Sequence, residues 1–185
     1  MIRGDFGGKP FPLWVLACLK TIRALLRGSL RLIGKKEYEA GYGQDKPLLT
    51  LPLQKKEDVS AARSQVDRYL TELVPRWKTA AGKRALVALS EAITNVILHT
   101  PGGQVLLFLD EGTPRFHVID QGPGLRFWQL PSILFTRGYS GRGSLGAGFP
   151  VMMGCLKRIV VCTSKEGTKL ILYPDLDPKG KGSGF

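Results

Sequence analysis

Three short stretches of this chain carry residue types that could do chemistry together. In Ser90-Glu-Ala-Ile-Thr-Asn-Val-Ile-Leu-His99, Glu91 and Asn95 stand four residues apart. On a helix that spacing puts both on one face, a turn apart. A carboxylate can take the proton of a hydroxyl or a water, and an amide oxygen can complete the octahedral shell of a magnesium ion. His99 falls one turn further along the same side. Alone, such a pair is an ordinary solvated helix face.

The second stretch, Val118-Ile-Asp-Gln-Gly-Pro-Gly124, sets Asp120 at the end of an apolar strand, followed by a glycine turn. Asp120 could accept a hydrogen bond from an exocyclic amine, while Gly122 and Gly124 let a flat base approach the backbone. The same residues would also make a simple strand-ending turn. The third stretch, Gly141-Arg-Gly-Ser-Leu-Gly-Ala-Gly148, runs into a helical pattern. Backbone N–H groups of such a loop, with the helix N-terminus behind them, form a cradle for phosphates. No Gly-x-x-x-x-Gly-Lys-Ser/Thr is present, which excludes a P-loop. Gly141-x-Gly143-x-x-Gly146 fits the dinucleotide fingerprint, with Glu166 twenty residues on. Yet residues 135–140 do not read as a buried strand, and a hairpin follows where a βαβ unit should be.

The elements that must position these residues follow from periodicity. Leu48–Leu53 is a short strand, and Asp58 or Ser60 could cap a helix to about Val74, with Val59, Ala62, Val66, Tyr69, Leu70 and Leu73 on its apolar side. A second helix covers about Thr79–His99, with Leu86, Leu89, Ile93, Val96 and Ile97 inward. Strands at Gln104–Leu109 and Arg115–Asp120 flank the hairpin signal Asp110-Glu-Gly-Thr-Pro114. A short helix at about Ala147–Leu156, a strand at Arg158–Thr163, a turn at Lys165–Gly167 and a strand at Thr168–Tyr173 complete the order βααββαββ. This predicts an α+β, two-layer sandwich, a mixed and mainly antiparallel sheet covered on one face by helices. Residues 1–46 read as an extension and linker, 47–174 as the domain, and 175–185 as a disordered tail.

The chain has 185 residues and a net charge of +12. Six basic residues and no acid lie between Leu13 and Lys36, so half of that surplus sits in one segment. Leu13–Ile33 reads as a basic amphipathic helix, with Lys20, Arg23, Arg27 and Arg31 along one stripe and Leu19, Ile22, Leu26, Leu30 and Ile33 opposite. Such a helix can lie on an anionic membrane or an acidic partner, or pack on its own domain. Direct nucleic-acid binding is disfavoured, because Trp14 is the single aromatic within that basic stretch. Cys18, Cys155 and Cys162 have no metal-ligand spacing and read as reduced thiols. Val15-Leu-Ala-Cys18 has the look of a lipoprotein cleavage site, but Pro10 and Pro12 interrupt its approach and the apolar run is short. A cytoplasmic protein is expected, with peripheral contact at the inner membrane face through the basic helix.

Taken in order, the three stretches resemble the ATP-binding domain of the histidine-kinase-like ATPase superfamily. Ser90–His99 is similar to its N box, Asp120–Gly124 to its first glycine box, Gly143–Gly148 to its second, and Gly167-Thr168 to its closing threonine motif. The likeness spans residues 47–174. Its wording is most similar to anti-sigma and switch-protein serine kinases, which phosphorylate small STAS-domain proteins. The resemblance implies ATP and Mg²⁺ as ligands. It gives Asn95 the metal and Glu91 the catalytic proton, Asp120 the adenine amine with Thr168 in support, Gly122 and Gly124 the base, and Gly143, Gly146 and Gly148 the phosphates. Arg137 or Arg142 would meet the γ-phosphate. The partners implied are a STAS-domain anti-anti-sigma protein and a sigma factor, and a homodimer is compatible with them. Two other readings are a non-catalytic module that sequesters a sigma factor or another regulator, and a detached catalytic domain of a sensor kinase. Glu91 favours the enzyme, since sequestration needs no base.

Overall fold

The computed structural model of the chain describes residues 29–125 and 148–176. The expectations for residues 13–28, for Arg137, Arg142, Gly143 and Gly146, and for residues 177–185 lie outside these. The elements run β1 (Leu30–Ile33), α1 (Lys35–Tyr42), β2 (Leu49–Leu53), α2 (Glu57–Leu73), a 3-10 turn (Pro75–Lys78) and α3 (Ala80–His99). There follow β3 (Gly103–Asp110), β4 (Thr113–Asp120), α4 (Gly148–Cys155), β5 (Leu156–Ser164) and β6 (Gly167–Pro174). From β2 onward this is the expected order. The strands form one sheet in the order β1-β5-β6-β4-β3-β2. Only the β1–β5 pair is parallel, so the sheet is mixed and mainly antiparallel.

Alternation along the strands sends every second residue to the front of the sheet. Phe116 and Val118 of β4, Leu170 and Leu172 of β6, and Ile159 and Val161 of β5 meet the helices there. Ala62, Val66 and Leu70 of α2 join Leu86, Leu89, Ile93 and Val96 of α3, with Phe149 and Met152 of α4. The apolar stripe of α2 is narrower than its sequence suggests: Tyr69 and Leu73 are 37% and 47% exposed. Asp58 is not the N-cap either, because the helix starts at Glu57. Its carboxylate reaches back to accept the N–H groups of Gln54 (2.7 Å) and Lys55 (3.0 Å), which hold its pKa below the usual range. The β3–β4 turn is the tight type that hairpins favour, with positive φ at Glu111 (49°) and Gly112 (79°).

The N-terminal elements depart from expectation. Leu30–Ile33, read as the end of a helix, is a strand paired with Ile159–Cys162. Within the stretch read as a linker, Lys35–Tyr42 is helical. The arrangement is consistent with a two-layer α/β sandwich whose main helices, α2, α3 and α4, cover one face, with one short helix added on the other. α1 sits on the reverse, where Ile33 and Tyr38 pack against Val160, Cys162 and Ile171. The cause is non-local: β1 finds its partner in a strand far along the chain, and Tyr38 finds a buried site on β4. Among the described residues, no helix is long and apolar enough to cross a membrane. Cys155 and Cys162 are free thiols, each pushed up in pKa by burial.

β1 and α1 set the terms for testing the basic segment. A truncation of residues 1–36 removes Leu30 and Ile33 from the core, at about 1.5–3 kcal/mol each. It is expected to lower the melting temperature whatever the segment before it does. A truncation of residues 1–28 keeps β1, and its co-sedimentation with anionic vesicles at low and high salt isolates membrane attachment. Vesicle binding by the full chain that survives this shorter truncation would exclude the basic segment as the anchor.

A buried polar cluster ties α1 to the sheet. The Arg115 guanidinium pairs with Asp45 (2.6 Å) and Asp110 (2.8 Å) and lies over the Phe108 ring. It also stands 3.3 Å from Nε2 of the fully buried His117, whose Nδ1 is 3.1 Å from the Tyr38 hydroxyl. A guanidinium can only donate, so Nε2 accepts and Nδ1–H donates to Tyr38. Burial, and then the Arg115 charge, push the imidazole down to about 3. The unfolded chain takes up a proton on this side chain near pH 6.5, whereas the folded one does so only near 3. Stability is therefore expected to fall as pH drops through this window and to be insensitive to His117 above it. Thermal melts between about pH 7 and pH 5, above the ordinary carboxylate range, test this. An unchanged melting temperature there would contradict a neutral, buried His117.

Candidate active site

At one end of the sheet the front-face positions turn from apolar to polar. On β4, Phe116 and Val118 are followed by Asp120; on β6, Thr168 precedes Leu170 and Leu172; on β5, Thr163 follows Ile159 and Val161. Asp120 Oδ1 accepts two backbone N–H groups, from Gly122 (2.8 Å) and Thr168 (3.1 Å). The carboxylate thus fastens the turn after β4 to the neighbouring strand, and its second oxygen remains an acceptor. Thr163, opposite Thr168 in register, places its hydroxyl 3.2 Å from that of Thr168 and accepts the Leu125 N–H at 2.7 Å.

Two glycines make this packing feasible. Gly124 has φ +75°, and a Cβ there would fall 1.9 Å from the Ser164 carbonyl oxygen. Gly167 has φ +130°, and a Cβ there would fall 2.0 Å from the Asp120 carbonyl oxygen. Any side chain at either position would push the β5–β6 hairpin off the turn. The other face of this sheet end holds a small depression in which Lys35, bonded to Glu166 at 2.7 Å, lies near Cys162, Lys169 and Asp120.

The second group of residues sits on α3. Ala88, Leu89, Ala92, Ile93 and Val96 are buried, while Glu91 and Asn95, between them in sequence, are half-buried. Gly148, which opens α4, stands against them. A Cβ on it would lie 3.1 Å from Glu91 Oε2, 3.6 Å from Asn95 Nδ2 and 3.7 Å from Asn95 Oδ1. The last glycine of the third stretch therefore meets the carboxylate–amide pair of the first. His99 is exposed at the final turn of α3, away from this contact.

α3 also connects the two groups. Thr100 follows its last residue, and its Cγ2 would be 2.8 Å from a Cβ on Gly122. With a rise of about 1.5 Å per residue, Asn95 lies roughly 7 Å and Glu91 roughly 13 Å along the helix axis from that point. A carboxylate acceptor therefore lies near the end of α3 and a carboxylate–amide pair beside a glycine lies further back along it. The structure brings Asp120, Gly122, Gly124 and Thr168 into one group and Glu91, Asn95 and Gly148 into another. Thr100 and Thr163 had no signal in the sequence, since each acts through a contact formed only on folding. Among the described residues, no cluster of three or more His, Cys, Asp or Glu side chains is placed to hold a metal.

No protein-family model matches the chain, and no curated protein matches it either.

Proposed function

We propose that this chain is an ATP-binding domain of the histidine-kinase-like ATPase fold, and that it uses magnesium ATP to phosphorylate a serine on a STAS-domain partner. The single observation that supports the reading most is the meeting of Gly148 with Glu91 and Asn95. A phosphate-cradling loop must end where the metal ligand and the base begin, and these residues are far apart in sequence. The second support is Asp120, whose Oδ1 is held by two N–H groups while Oδ2 remains to accept an exocyclic amine.

In this reading Asp120 and Thr168 hold the adenine, and Gly122 and Gly124 let the turn beside it pack closely on Thr100 and Ser164. The half-buried Asn95 would offer its amide oxygen to magnesium, an ion that rarely has an all-protein cage. Bound there, magnesium would neutralise the charge of the phosphates. Glu91 takes the proton from the serine hydroxyl as its oxygen bonds to the γ-phosphorus and ADP departs. The N–H groups at the Gly148 end of α4 would favour the anionic end of the ligand. STAS and sigma-factor partners, a cytoplasmic location and a homodimer belong to the same proposal.

Calorimetric titration with ATP, with and without magnesium, tests the pocket. Saturable binding that tightens with magnesium is expected. NAD binding in place of ATP would overturn the assignment. ATP and partner binding without any phosphate transfer would leave a nucleotide-dependent sequestering module.

A further inference from the structure

We infer that Lys83, Arg84 and Val87, on the half of α3 that precedes Glu91, form the surface on which the phosphate-accepting protein docks, and that this protein presents an acidic face with an apolar residue beside its serine. The inference rests on the ATP reading above and adds where, and by what chemistry, the protein substrate is held. Arg84 and Val87 stand seven and four residues before Glu91. At about 100° per residue both fall within roughly 40° of it around the helix axis, and Lys83 falls within roughly 40° of Val87. All three are exposed, Val87 at 41%, so one open stripe leads to the half-buried Glu91. The stripe runs alongside α4. Gly148 meets Glu91 at one end of that helix. At its other end burial pushes the Cys155 thiol up, while the nearby Arg84 charge lowers its pKa and that of Glu91 raises it.

Direction decides what the stripe is for. In the ATP reading the nucleotide runs from Asp120, near the end of α3, back along the helix to Glu91. The attacking and leaving oxygens of a phosphoryl transfer lie roughly in line. ADP departs on the Asp120 side, so the serine oxygen approaches from the other, over the turns that carry Val87, Arg84 and Lys83. With a rise of about 1.5 Å per residue, these lie roughly 6 to 12 Å beyond Glu91. Charge then names the partner's chemistry. From Pro75 to Ser90 the chain carries Arg76, Lys78, Lys83 and Arg84 and no acid. Such a surface steers and holds an acidic one. Val87, between the cations of α3 and Glu91, offers an apolar contact next to the reacting centre. A lipid surface or a nucleic-acid duplex would match the cations but not Glu91, an anion in the same stripe that needs a hydroxyl brought to it.

The test uses a short fluorescein-labelled peptide, a serine between leucines flanked by aspartates, and its counterpart with lysines in place of the aspartates. Anisotropy is read on the full chain with saturating magnesium and a non-hydrolysable ATP analogue. Wild-type protein should bind the acidic peptide, reject the basic one, and bind less at high salt. The double variant Lys83→Glu, Arg84→Glu should lose about tenfold in peptide affinity while ATP affinity stays level. Val87→Asp should weaken the peptide as well. Lys55→Glu with Lys56→Glu makes the same change of charge at the start of α2, away from the 3-10 turn, and should have little effect. Equal losses from the two double variants would mean diffuse attraction to a basic protein and overturn the inference. So would a protein that binds ATP but not the acidic peptide. So, too, would a Lys83→Glu, Arg84→Glu variant that keeps the peptide and loses phosphatidylglycerol vesicles. Arg84→Ala and Val87→Ala carry the same comparison should the charged variants not fold, as judged by circular dichroism. Failure of wild-type protein to bind ATP at all sinks the nucleotide reading and this inference with it, a result distinct from loss of peptide binding alone.

Discussion

Glu91→Ala is expected to bind ATP with nearly unchanged affinity and to transfer phosphate to its protein substrate about 10²- to 10⁴-fold more slowly, the range for a lost general base. The argument is geometric. Glu91 is half-buried on α3 and faces the first residue of α4, whereas the groups assigned to the base lie at the far end of the helix. Truncating it removes a proton acceptor without touching Asp120, Thr168 or the turn between them. Asn95→Ala should behave differently. It removes the amide oxygen assigned to magnesium, so metal-dependent binding and transfer should fall together. Binding by calorimetry and transfer of labelled phosphate to a STAS-domain protein separate the two variants. If Glu91→Ala transfers phosphate at the wild-type rate, the carboxylate is not the base.

Asp120→Asn is expected to weaken ATP binding about 10- to 100-fold, from the roughly 1.5–3 kcal/mol of a hydrogen bond to a charged group. Asparagine is the informative replacement. Its amide oxygen can still accept the N–H groups of Gly122 and Thr168, so the turn keeps both of its bonds. The NH₂ group then stands where Oδ2 stood and faces the ligand's amine donor to donor. Alanine would mix two effects, since it also frees the two backbone donors and loosens the turn from β6. The melting temperature should therefore change little in Asp120→Asn and fall in Asp120→Ala. Unchanged ATP affinity in a folded Asp120→Asn variant would count against the assigned pocket.

How much of this was legible depends on how local the cause is. α3 was readable because Leu86, Leu89, Ile93 and Val96 recur at helical spacing, and all four are buried. The β3–β4 hairpin was readable because Glu111-Gly112 suits a tight turn between two apolar runs. Asp120 and its glycines were found as a pattern, and the bonds from Gly122 and Thr168 supply the structural reason for it. The α2 stripe was overdrawn: Tyr69 and Leu73 each precede a buried residue, Leu70 and Val74, and stay largely exposed themselves, a difference that period alone does not mark. The N-terminal elements were missed for a stronger reason. Leu30 and Ile33 continue the apolar spacing of Leu26, so a helix fits them equally well, and only pairing with β5 selects a strand. Lys35–Tyr42 is mostly polar, and one buried residue, Tyr38, gives it a place on the sheet.

The sequence by itself determined the elements from β2 to β6, the buried face of α3, and the presence of three candidate stretches, because each depends on spacings within about twenty residues. Tertiary structure alone decided that Gly148 meets Glu91 and Asn95, that Thr100 touches Gly122, and that Thr163 stands between Leu125 and Thr168. It also decided that β1 completes the sheet and that His117 is buried neutral beneath α1. These contacts join residues far apart in the chain. No periodicity records them, because they follow from strand register and from how closely α3 and α4 pack on the sheet.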